Sequence, residues 1–190
     1  QSKGRNTAIQ IFIATVPITV LGGLAFMTGI VDHFRNIQVI ALSTIIFGIV
    51  LYYADIQNDK KTKTIDELKI GESFIIGLLQ VLAIIPGTSR SGIVYSGGRF
   101  LNISRIEALR FAMLLSIPTI LLSAFIPTYK FIESSSSEFL LMGTVGLIVS
   151  FATAYLSISL LMNWVRNFSM VPFVVYRIIL GSILLVYSIV

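Results

Sequence analysis

Cysteine is absent from the 190 residues, so disulfides, thiolate catalysis and sulfur-ligated metals are excluded, and cysteine usage carries no information on redox compartment. Charged residues are scarce at 12%, and histidine and tryptophan occur once each. Acids are missing from the interior of the long apolar stretches: Glu72 opens its segment and the others fall in connectors. No general base and no metal cage is therefore evident, and His33, in the polar turn Asp32-His33-Phe34-Arg35, reads as a solvated loop residue.

What the chain has in abundance is apolar side chains, 55% of the total, with a mean hydropathy of +0.90. That composition belongs to multispanning membrane proteins and implies an all-α, polytopic transmembrane helix bundle forming a single domain over residues 1–190. The formal charge of +5 sits at the ends of apolar segments, where headgroups and topology explain it, so no nucleic-acid partner is expected.

The spans read as residues 9–31, 37–54, 108–126, 139–164 and 171–190, each near the ~20 residues a crossing requires, with 73–101 as a sixth segment broken by polar residues. The chain opens on Gln1 rather than Met, which suggests a processed or partial chain. Its first apolar run is too long for a signal-peptide core and is expected to remain in the mature protein. Residues 55–72 form the hydrophilic connector, carrying Lys60, Lys61, Lys63 and Lys69, and Ser134 to Ser137 form a low-complexity loop.

Counting Lys and Arg by loop favours a re-entrant hairpin over residues 73–101. In that arrangement Lys3, Arg5, the connector lysines, Arg99, Arg105, Arg110 and Arg166 share the cytoplasmic side, against Arg35 and Lys130 outside. Two half-helices of about eleven residues reach ~16 Å, or mid-bilayer, and place Pro86-Gly87-Thr88-Ser89-Arg90-Ser91-Gly92 at the tip.

That heptapeptide concentrates anion-binding chemistry. Pro86 ends the first half-helix, Gly87 and Gly92 permit positive dihedrals, and Ser91 is expected to cap the second half-helix. Free amides at a helix start, a planar guanidinium and three hydroxyls suit a phosphate or diphosphate. An arginine at bilayer depth costs at least about 2.5–3.5 kcal/mol on insertion scales, which marks Arg90 as functional. The bland alternative is a helix-breaking loop whose arginine pairs elsewhere or snorkels. Arg90 and Ser89 are the catalytic candidates, with Gly87, Thr88, Ser91, Gly92, Gln80 and Arg177 as substrate-binding candidates. For Gln80, interhelical hydrogen bonding competes with a cavity role; for Arg177, near the start of the last span, snorkelling competes with anion contact.

Residues 77–92, Gly77-Leu78-Leu79-Gln80-Val81-Leu82-Ala83-Ile84-Ile85 leading into the heptapeptide, resemble the second signature of the undecaprenyl-diphosphate phosphatase family, the bacitracin-resistance type. The likeness extends to Arg110-Phe111-Ala112-Met113-Leu114-Leu115-Ser116-Ile117-Pro118 and Tyr176-Arg177-Ile178-Ile179-Leu180-Gly181, and so covers nearly the whole chain. It implies a multi-pass hydrolase of the bacterial cell membrane that releases the terminal phosphate of a polyprenyl diphosphate lipid, recycling the cell-wall lipid carrier. It also implies an internally repeated fold with two re-entrant loops, a divalent metal ion (Mg or Ca), and Arg90 as the diphosphate-binding arginine; a homo-oligomer is left open. The family's other signature, a Glu-rich helix leading to a Ser/Thr/Gly/His loop, has no counterpart here and would precede Gln1. A fragment, an inactive chain and a site completed by another chain all accommodate that gap. A lipid-phosphate carrier and a structural subunit are the alternative functions.

Overall fold

The computed structural model describes residues 3–57, 62–134 and 137–189, so Lys60, Lys61, Ser135 and Ser136 lie outside the described residues. Among the described residues it is helical, without strands: α1 (Lys3–Met27), α2 (Ile30–His33), α3 (Ile37–Asp55), α4 (Ile70–Val81), α5 (Arg90–Phe100), α6 (Arg105–Ser134), α7 (Ser137–Asn167) and α8 (Val171–Tyr187). Among the described residues four stretches are long and apolar enough to cross a membrane, Gly4–Met27, Ile37–Asp55, Arg105–Phe125 and Met142–Asn167. The last apolar helix, α8, is shorter at 17 residues.

Helix boundaries follow local chemistry more than hydropathy. The first apolar run does not continue to residue 31 as one helix, because Gly29 adopts φ 70° and separates α1 from the short α2. Asn36 opens α3 by accepting the Gln38 N–H at 2.9 Å. α6 extends to 30 residues, about 45 Å at 1.5 Å per residue and longer than a bilayer crossing needs.

The connector is not a simple solvated loop. Ile65 and Leu68 insert into the core, around a single 3₁₀ turn, Ile65–Glu67. Glu67 accepts both the Thr64 N–H at 2.7 Å and its hydroxyl at 3.1 Å, which holds this exposed carboxyl below the usual Glu range. Lys63 pairs with Glu72 at 2.7 Å and exchanges backbone hydrogen bonds with the segment after α5, donating to Asn102 O and accepting from Ser104.

That exchange decides the path of the broken segment. The chain enters α4 and leaves α5 at one end of the molecule, and the two helices pack on each other as a hairpin. At the same end Thr7 donates to Asp66 at 3.0 Å, and Gln10 donates to Leu68 O at 2.9 Å. The buried core runs through α5 and α6, with Val94, Tyr95, Phe111 and Leu115 joined by Ile76 of α4 and Ala14 of α1. Two further seams are set by glycine. A Cβ at Gly77 would lie 2.9 Å from Ala14 Cα, and one at Gly181 would lie 2.6 Å from Ile45 Cγ1, so α1 and α4, and α3 and α8, approach backbone to backbone. By contrast the described side chains of α7 are almost all exposed and apolar, as a lipid-facing helix would present them.

Candidate anion site at the hairpin tip

α4 unwinds through the 3₁₀ turn Leu82–Ile84 and stops at Ile85, which is extended with ψ 117° as a residue before proline should be. Gly87 follows at φ 93°. A Cβ there would meet Ile40 O at 2.6 Å and Thr44 Oγ1 at 2.7 Å, so only glycine lets the tip lie against α3. Ser43 adds a hydrogen bond from its hydroxyl to Pro86 O.

The second half-helix begins two residues earlier than the residue types imply. Ser89, not Ser91, is the N-cap: it sits at φ 67°, and its Oγ accepts the Gly92 N–H at 3.2 Å. Gly92 is helical, so the second left-handed residue of the tip is Ser89. Both serines suit a cap; the tether on the preceding carbonyls selects between them. Arg177 of α8 supplies that tether, donating through Nη2 to Gly87 O at 2.6 Å, Thr88 O at 3.1 Å and Thr44 O at 3.4 Å. Arg177 therefore does not snorkel. Its Nη1 lies 3.8 Å from where a Cβ on Gly92 would be, against the start of α5.

The amides of Gly92 and Ile93 are satisfied by Ser89, while those of Arg90 and Ser91 have no hydrogen-bond partner among the described residues. Arg90 is half-buried and makes neither a hydrogen bond nor an ion pair among the described residues. Of the two outlets in the bland alternative, pairing with a carboxylate is not found among the described residues. Thr88 is buried with Oγ1 unpartnered. Gln80, fully buried, donates to Thr119 Oγ1 at 3.4 Å and leaves Oε1 unpartnered, so interhelical bonding is its observed contact.

A cavity of about 250 Å³ opens beside the tip, with Ser89, Ser91, Gly92 and Arg177 at its polar end. Leu51, Tyr95, Leu109, Leu161, Met170, Phe173 and Tyr176 form the apolar remainder. Arg90, Gly87, Thr88 and Gln80 are not among its lining residues. The cavity joins a polar end, carrying a guanidinium and two hydroxyls, to an apolar wall, the shape an amphiphilic phosphate ester requires.

Two groups near the site escaped the sequence reading. Asp55 is not a connector acid but is buried at 1% exposure at the end of α3. It binds Tyr95, Arg105 and the Met170 amide. Arg99 is equally buried, donating to Ala54 O, Gln57 O and Ile103 O. A signal existed for Asp55, since an acid at a helix C-terminus opposes the helix dipole and calls for compensating donors.

The family model described as bacitracin resistance protein BacA matches residues 1–183. A protein named undecaprenyl-diphosphatase from Jannaschia sp. (strain CCS1) is 39% identical over 187 residues, 98% of this chain and 70% of that relative. One of the same name from Saccharophagus degradans is 40% identical over 182 residues, 96% of this chain and 68% of the relative. The Roseobacter denitrificans protein of that name is 37% identical over 187 residues.

Proposed function

Because the chain belongs to the bacitracin resistance protein BacA family, we infer that it is a membrane phosphatase hydrolysing undecaprenyl diphosphate to undecaprenyl phosphate and inorganic phosphate. The observation that carries the site assignment is the free anion-binding start of α5. Among the described residues it offers two unbonded amides and an unpaired half-buried Arg90, and Arg177 and Ser43 hold it in place. We place this hairpin in the bilayer as a re-entrant element, with its carrier lipid drawn from the bacterial plasma membrane.

In this reading the diphosphate seats on the α5 start with its lipid along the apolar wall of the cavity. Arg90 and the amides of Arg90 and Ser91 take up charge that grows on the phosphate oxygens as water displaces the lipid phosphate. Ser89 and Ser91 orient non-bridging oxygens, and Arg177 both fixes the loop and presents Nη1 to the site. Thr88, with its buried hydroxyl unpartnered, completes the oxygen contacts only if the loop turns it outward, so its role is secondary.

The divalent ion that the resemblance implies does not match the donors at this tip. The tip offers hydroxyls, amides and two guanidinium groups, whose charge repels a cation. No group of three His, Cys, Asp or Glu side chains converges among the described residues. The tip residues are accordingly assigned to the diphosphate, and a metal is proposed to contact the phosphate from outside this residue set.

The test is phosphate release from a C55 polyprenyl diphosphate in detergent micelles. Arg90→Ala is expected to lower kcat/KM by about 10²–10³, the range for losing a preorganised donor to developing charge. Equal rates for the two proteins would remove Arg90 from the site.

A further inference from the structure

Away from the tip, the densest buried polar group surrounds Asp55. Its Oδ1 accepts the Tyr95 hydroxyl at 2.6 Å and pairs with Arg105 Nε at 3.3 Å. Its Oδ2 accepts the Met170 N–H at 2.8 Å, and its backbone carbonyl accepts Arg105 Nη2 at 2.9 Å. One carboxylate from α3 thus ties together α5, the start of α6 and the corner between α7 and α8.

Those are the elements that wall the cavity. Tyr95 and Met170 line it directly, and Arg105 lies one helical turn before the lining residue Leu109. The tip is fastened separately, by Arg177 on Gly87 and Thr88 and by Ser43 on Pro86. The two ends of the cavity are therefore fastened by different side chains of α3 and α8.

We propose that Asp55 is a positioning residue that sets the spacing of the cavity's apolar walls, and hence the fit of the isoprenyl units next to the diphosphate. A role in stability alone does not account for the arrangement. A buried ion pair rarely out-stabilises apolar side chains of equal volume, because both charges are desolvated. What a carboxylate does supply is directional, charge-assisted bonding that fixes three elements at one point. The inference rests on the phosphatase reading for the identity of the lipid, and on geometry alone for the clamp.

Asp55→Asn keeps the shape but removes the charge from Arg105, and in one amide orientation sets a donor against the Met170 N–H. It is expected to raise KM for a C15 polyprenyl diphosphate about fivefold, the scale of one or two lost hydrogen bonds, with kcat within about twofold. The inhibition constant of inorganic pyrophosphate, which touches only the tip, should stay unchanged. Tyr95→Phe should shift KM in the same direction by less, and serves if the Asn variant does not fold. The control is Gln10→Leu, which disrupts a buried bond to Leu68 O far along the chain from the cavity walls. An unchanged KM in both variants overturns the proposal, as does a rise matched by the control or a parallel loss of pyrophosphate inhibition.

Because the chain has no cysteine, the clamp is also read without activity. A thiol at Leu161→Cys on the α7 wall should react with maleimide several-fold faster when Asp55→Asn is added, and at the same rate when Gln10→Leu is added. If the unaltered protein releases no phosphate, the phosphatase reading falls while the thiol rates still decide the clamp; equal rates in all backgrounds defeat it.

Discussion

Ser89 holds a conformation that serine normally avoids. Its φ of 67° places it in the left-handed region, at a cost on the order of 1–2 kcal/mol for a residue with a Cβ. Glycine would relieve that strain, and loses only a few tenths of a kcal/mol as an N-cap. Ser89→Gly is therefore expected to keep or raise the thermal unfolding midpoint while lowering phosphate release, a divergence that a purely structural serine would not produce. A fall in midpoint with activity intact reverses the assignment. Turn chemistry made Pro86 and Gly87 legible in the sequence, because a proline and a glycine constrain the backbone by themselves. The choice between Ser89 and Ser91 was not legible, since either hydroxyl caps a helix and the selection is made by Arg177, which lies 88 positions beyond Ser89.

Among elements, the hairpin depends on how closely α1 admits α4. At Gly77 the backbones are so near that an added Cβ would lie 2.9 Å from Ala14 Cα and closer still to Ala14 O. Neither is a flexible side-chain end, so the helices must part. Gly77→Ala is expected to destabilise by about 1–3 kcal/mol through overpacking, seen as a lower denaturation midpoint in detergent. Gly71→Ala on the same helix, where nothing lies within 4 Å of the added atom, should be neutral or slightly stabilising. Equal midpoints for Gly77→Ala and the unaltered protein would show that α1 and α4 are not in close contact. The long apolar helices were readable because hydropathy alone marks them, and the arginine of the tip because charge between apolar runs has few other uses. Their ends were not, since α1 stops before Gly29 at φ 70° and α6 runs to 30 residues. Asp55 and Arg99 were hidden for a different reason. Each sits at the end of an apolar helix, where a charge ordinarily meets water, and only the packing of the connector and α6 over those ends encloses them.

At the scale of the whole molecule, the exchange between Lys63 and the segment after α5 puts the entrance of α4 and the exit of α5 on one end, with the α7–α8 corner bound to the same end through Asp55. The tip reaches α3 at Ile40 to Thr44, eleven residues from Asp55 at its nearer limit. That spacing is about 16 Å, half the thickness of a bilayer's hydrocarbon core. If α3 crosses the membrane, the tip is held near mid-depth and the hairpin cannot cross. The charge distribution agrees, because a crossing would carry Arg99, Arg105, Arg110 and Arg166 to the outer face against the positive-inside bias. In a chain without native thiols, single cysteines report this directly. Gly71→Cys and Phe100→Cys, at opposite ends of the broken segment and exposed at both, should react with an impermeant maleimide from the same side as Gln57→Cys. His33→Cys, exposed at the end of α2, should react only from the other side. Labelling of Gly71→Cys and Phe100→Cys from opposite faces would make the segment a span and overturn the re-entrant hairpin.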